Sequence, residues 1–142
     1  MTNKIGWKEG LVLGFIAGVI WGWTSIGVNY ITGIFPFELS IVQNLFVGSV
    51  GGGVFGTLSG AFLGLIGERI PVKNTVLKAV IVSTPIWILF RLTGLMLTEI
   101  DESRYQAVIA QTIQGFFLSI VLGCILGLIW QWQENRNRQI AK

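Results

Sequence analysis

Residues 46–69 read FVGSVGGGVFGTLSGAFLGLIGER, with glycine at 48, 52, 56, 60 and 64, every fourth position of an otherwise apolar run. In a soluble helix this pattern is costly, since each glycine is worse than alanine by about 1 kcal/mol. In lipid the balance differs. Tails are as apolar as leucine, so helices associate through close backbone packing rather than through a hydrophobic force. Four residues advance a helix by about 400°, so the stripe drifts by about 40° per step and follows the i±4 ridge. Gly48, Gly52, Gly56, Gly60 and Gly64 therefore predict a glycine zipper, a face onto which another helix can lie, with Gly51, Gly53 and Gly67 widening the groove.

The composition agrees with a membrane setting: 52% of the 142 residues are hydrophobic, only 12% are charged, and the mean hydropathy is +0.70. Apolar segments near the roughly 20 residues needed to cross a bilayer core fall at about 10–31, 40–66, 79–98 and 105–130. The links between them are short, which predicts a single membrane domain over 1–142. The opening MTNKIGWKEG lacks an A-x-A-like cleavage site at the right distance, so the first segment is expected to be a retained helix. Small residues recur in the other segments, at Gly14 and Gly18, at Gly123 and Gly127, and at Ala79 and Ser83. Trp21, level with Gly48 and Gly52, is expected to pack into the glycine groove.

Basic residues in short loops stay cytoplasmic. Lys4, Lys8, Arg69, Lys73, Lys78, Arg136, Arg138 and Lys142 fall on one side, leaving Arg104 in the opposite loop and Arg91 within a span. Both termini are thus expected in the cytoplasm. The net charge of +3 is separated across the membrane rather than spread over a face suited to nucleic acid. Trp7, Trp130 and Trp132 fall at the inner interface and Tyr30 and Tyr105 near the outer one, as amphipathic rings prefer.

Polar residues inside the spans gather toward the outer side: Asn29 in the first, Gln43 and Asn44 in the second, Gln111 and Gln114 in the fourth. Arg91 lies about 18 Å from Ala79 but only about 10 Å from Thr98, close enough to snorkel outward. Intramembrane charges and amides suggest function by default. Together these residues predict an outward-facing polar cup around Arg91, with Glu38 as its carboxylate partner or, alternatively, as a first-turn acid complementing a helix dipole. Pro85 removes a backbone donor below Arg91 and can kink the third helix.

Catalytic chemistry is not expected. The chain has no His and one Cys, Cys124 sits in an apolar stretch, and Ser25, Ser49, Ser59, Ser83 and Ser119 lack an evident base. The glycines of GSVGGG follow no strand and precede no Walker-spaced lysine, so they make no phosphate loop. We expect no cofactor and no metal site. Ion-coupled transport usually needs a membrane-buried carboxylate or His, and no acidic residue falls deep in a span.

The segment GFIAGVIWG at 14–22 with Tyr30 after it, the glycine-rich second helix and the four spans resemble small uncharacterised membrane proteins of the YqhR type from spore-forming Gram-positive bacteria. The short GIFPFELS link departs from that pattern. The resemblance implies an integral membrane protein without an assigned reaction. The sequence therefore reads as an all-α, integral membrane four-helix bundle with glycine-zipper packing, N-in/C-in, multi-pass in the cell membrane. Its expected role is a membrane assembly scaffold or accessory subunit, packing through the glycine helix against a second copy or another membrane protein. The alternative is a small channel or a solute- or lipid-binding protein using the outer cup.

Overall fold

The computed structural model describes residues 5–35, 39–98 and 109–140, all of whose regular structure is helical. Four helices follow in order: α1 (Trp7–Thr32), α2 (Ile41–Ile66), α3 (Thr75–Thr98) and α4 (Ile109–Ile140). Each contains a segment long and apolar enough to cross a membrane. At 1.5 Å per residue even α3 reaches roughly 36 Å, against a hydrocarbon core of about 30 Å. We call the end that carries Trp7, Ile66, Thr75 and Ile140 the terminal end, and the end that carries the 33–40 link the distal end.

Local chemistry sets the helix boundaries. Gly33 closes α1 in the left-handed region, φ 65°, and its N–H donates to the Asn29 carbonyl, a geometry that glycine adopts without steric cost. Ser40 opens α2 through a reciprocal capping box with Gln43. At the start of α3, Asn74 Oδ1 accepts from the N–H groups of Val76 and Leu77. Helix α4 continues ten residues beyond Trp130 because QWQENRNRQI contains neither Gly nor Pro. Its side chains support one another at i+4 spacing, Trp130 donating to Glu134 and Gln133 to Asn137.

The chain folds as two antiparallel hairpins, α1 with α2 and α3 with α4, which meet chiefly along α1 and α4. In the first hairpin the backbones themselves touch. A Cβ added to Gly14 would strike the Gly56 carbonyl oxygen and lie 3.0 Å from Gly60 Cα; Gly18 stands in the same relation to Gly52 and Gly56. Gly10 faces Gly60 and Gly22 faces Gly48, so one register runs the length of the pair. Near the terminal end Gly64 abuts the backbone of Trp7. The glycine face of α2 is thus covered by α1 of the same chain.

The second hairpin uses the same spacing with larger partners. Gly127 receives Val76, Gly123 receives Val80 and Ser83, and Gly115 receives the indole of Trp87. Ser83 Oγ donates to the Ser119 carbonyl at 3.0 Å. At the last of these contacts an indole takes the place of the small side chains used toward the terminal end. The core accordingly concentrates toward the terminal end, where Ile5, Leu13, Leu63, Ala79, Leu126 and Trp130 are all buried.

Candidate functional site

The distal half contains a cavity of about 670 Å³ to which all four helices contribute, within the usual 300–1,000 Å³ range of small-molecule sites. Trp21 and Phe55 form its deep wall, their rings 5.2 Å apart and nearly perpendicular, and Phe90 meets Phe55 edge-on at 5.7 Å. The Trp21 indole is fixed in place because its Nε1 donates to the Leu118 carbonyl at 2.6 Å, tying α1 to α4. Trp87 and Gly115 line the side between α3 and α4. The lining residues most exposed at the surface are Val47 (56%) and Val54 (55%) on α2 and Phe90 (42%) on α3. The mouth therefore lies between α2 and α3, two helices that touch only sparsely. Gly51 stands at this mouth with open space where a side chain would be.

Three residues of the sequence-predicted cup line the cavity: Asn29, Asn44 and Gln114. Two of them already have local partners. Asn29 exchanges a pair of 2.7 Å hydrogen bonds with the backbone of Phe35, donating to its carbonyl and accepting from its N–H, and so folds the link over the end of α1. Asn44 donates to the carbonyls of Leu39 and Ser40 at the start of α2. Gln114 differs. Only 8% of it is exposed, its Oε1 accepts from Thr32 Oγ1 at 3.0 Å, and its Nε2 is buried with no hydrogen-bond partner.

The other cup residues lie elsewhere. Gln43 is exposed and belongs to the α2 cap, and Glu38 lies outside the described residues. Arg91 and Gln111 are half-buried and are not part of the cavity wall. Arg91 sits one turn beyond Trp87 on α3, with Nε and Nη2 buried and unpartnered. No charged side chain contributes to the cavity lining among the described residues.

The aromatic wall was only partly readable from the sequence. Trp21 was expected to fill the glycine groove; in the fold α1 itself fills that groove and the indole turns toward Phe55 and α4. Trp87 carried one available signal, its position one turn inward of Arg91 on the same helix. A smaller pocket of about 260 Å³ at the terminal end is bordered by Lys78, Arg138, Glu68 and Glu134; opposite charges alternate there, so it presents no single field to a ligand. Comparison with protein-family models, with curated proteins and with solved structures finds no match.

Proposed function

We propose that this integral membrane protein binds an amphiphile, a lipid or lipid-like solute, in the distal cavity, admitting it sideways from the bilayer between α2 and α3. The observation that carries this reading is the gradient within one cavity: the rings of Trp21 and Phe55 near the middle of their helices, amides toward the distal rim, and a lateral mouth flanked by exposed apolar side chains. An apolar chain fits the first region and a polar group the second. The charge distribution supports cytoplasmic termini, and the cavity would then face the outer leaflet. The reading assigns no catalysis, because the chain has no His and its lone Cys124 lies on α4 away from the cavity wall.

The glycine contacts between α1 and α2 would act as an internal glycine zipper that makes the α1–α2 hairpin a rigid wall for this cavity. Close backbone approach of this kind drives helix pairing where lipid removes the hydrophobic force. The likeness to YqhR-type proteins fits an integral membrane protein and adds no reaction. A scaffold or accessory role is the second reading, and one observation favours it: the most apolar stretch of α3 is only 17% buried, against 39% for those of α2 and α4. A second copy or another membrane protein would then dock on α3, since α1 occupies the glycine face of α2.

The test is extraction and mass spectrometry of amphiphiles that copurify with the full chain in mild detergent. A Gly51→Leu side chain would project into open space at the mouth and should leave folding intact while removing the copurifying molecule. Equal retention by wild type and Gly51→Leu would sink the cavity reading.

A further inference from the structure

The terminal-end pocket of about 260 Å³ is bordered by charges of both signs, and we infer that it binds a phosphoethanolamine group, a phosphate joined through two carbons to a primary ammonium. Its base is apolar, with Leu63 and Trp130 both buried. Around that base stand Glu68 just after α2, Lys78 on α3, and Glu134 and Arg138 on α4. The pocket takes in the last turn of α2 and the first turn of α3. It therefore lies at the helix ends, where headgroups begin beyond a hydrocarbon core of about 30 Å. Basic pockets between membrane helices at this level suit lipid phosphates.

These charges are not neutralised by one another. Glu134 and Arg138 stand four residues apart on α4, a spacing at which such side chains commonly pair, but Glu134 accepts instead from the Trp130 indole at 3.2 Å. That bond ties the carboxylate to the base of the pocket and leaves most of its acceptor positions open. Among the described residues neither Lys78 nor Arg138 makes an ion pair. Two other cations at this end are engaged elsewhere, Lys8 over the Trp7 ring and Arg136 over the Trp132 ring. A phosphate alone would meet Lys78 and Arg138 but also the carboxylates, and an ammonium alone would meet the reverse. A ligand of both signs satisfies each side: phosphate to Lys78 and Arg138, ammonium to Glu134, since Glu68 has a partner of its own.

Size and donor chemistry narrow the group further. Phosphoethanolamine has eight non-hydrogen atoms, which at about 30 Å³ each, the share of a water molecule, fill roughly 240 Å³. An inositol phosphate, about twice as large, exceeds the pocket. A choline nitrogen has no N–H and is held by cages of aromatic faces. Among the described residues a single indole lines this pocket, and its N–H is turned to Glu134. A primary ammonium offers that carboxylate three donors.

The experiment is native mass spectrometry of the full chain in mild detergent with dioleoyl lipids that differ only in headgroup: phosphatidylethanolamine, phosphatidylcholine and phosphatidic acid. The wild type should bind phosphatidylethanolamine about three- to fivefold more tightly than either of the others, the ratio one partly exposed ion pair supplies. Glu134→Gln keeps an acceptor for the indole and should bring phosphatidylethanolamine down to the phosphatidylcholine level. Lys78→Gln should weaken phosphatidylethanolamine and phosphatidic acid together. Gly51→Leu, at the distal cavity, should leave the preference intact. Soluble glycerophosphoethanolamine identifies the source: affinity equal to that of the lipid would support a soluble ligand of this chemistry, and weaker affinity would support a lipid headgroup. Equal binding of phosphatidylethanolamine and phosphatidylcholine by the wild type would overturn the inference, as would tightest binding of phosphatidic acid. A preference that survives Glu134→Gln and Lys78→Gln, or that Gly51→Leu abolishes, would also overturn it by placing the headgroup elsewhere. The wild-type comparison decides the matter even where a variant fails to fold.

Discussion

Trp21 Nε1 donates to the Leu118 carbonyl at 2.6 Å, and the same indole meets the Phe55 ring edge-on. One side chain near the middle of α1 therefore joins α4 and α2 and forms the deep wall of the cavity. Trp21→Phe keeps an aromatic ring against Phe55 but loses the hydrogen bond. We expect it to cost about 0.5 to 1.5 kcal/mol of stability, read as a lower midpoint in thermal denaturation in detergent. Trp21→Ala should cost more, because it also leaves a hole beside Phe55. A Trp21→Phe protein as stable as wild type would show that the indole N–H contributes nothing to the α1–α4 contact.

The contacts between α1 and α2 are backbone to backbone, so even a methyl group matters. Gly14→Ala and Gly56→Ala each place a Cβ against the carbonyl of the facing glycine, and both should destabilise the protein by about 1 to 3 kcal/mol. Gly56→Leu and Gly60→Leu should be worse still. Gly27→Ala is the matched control, since nothing lies within 4 Å of its added Cβ; it should be neutral or stabilising by up to about 1 kcal/mol. Similar melting curves for Gly14→Ala and Gly27→Ala would mean that the hairpin does not close as described.

The spans were legible in the sequence because hydropathy and length suffice to find them, and the glycine stripe of α2 was legible because its spacing is regular. Its occupant was harder to see. Gly14 and Gly18 stood out, but Gly10 and Gly22 complete a matching ladder that only the antiparallel register reveals. The polar cup was half-legible for a different reason. Amides near helix ends serve caps and links at least as readily as ligands, and Asn29, Gln43 and Asn44 do so here. Gln114, which accepts from Thr32 at the end of α1, depends on a tertiary contact that no local pattern encodes. The polar tail of α4 looked like the end of a span by hydropathy, although its helix-forming residues carry the helix on.

Orientation is tested by reporter fusions. The distribution of Lys and Arg predicts a cytoplasmic signal for fusions after Lys73 and after Lys142, and an external signal for fusions after Glu38 and Glu102. The reverse pattern would turn the cavity toward the inner leaflet.

Arg91 separates an anchor from a ligand contact. It lies outside the cavity wall, one turn beyond Trp87, and a long basic side chain there can reach the interface whether it ends in guanidinium or ammonium. Arg91→Lys should therefore fold and retain the copurifying amphiphile as wild type does, whereas Arg91→Gln should lower stability without changing which molecule is bound. Loss of the amphiphile in a well-folded Arg91→Lys protein would show that the planar fork of arginine, with its buried Nε and Nη2, contacts the ligand after all.

Lateral admission of an amphiphile between α2 and α3 is tested most directly by mapping covalent adducts. The full chain is placed in vesicles containing a fatty-acyl probe with a mid-chain diazirine, irradiated, and its modified residues are located by mass spectrometry. The adducts should concentrate on residues 47–55 of α2 and 87–90 of α3, in excess over comparably exposed apolar side chains such as Phe62 and Leu128, which lie outside the cavity wall. An even spread over all exposed apolar side chains, with no excess at the α2–α3 mouth, would contradict the presence of a bound chain there.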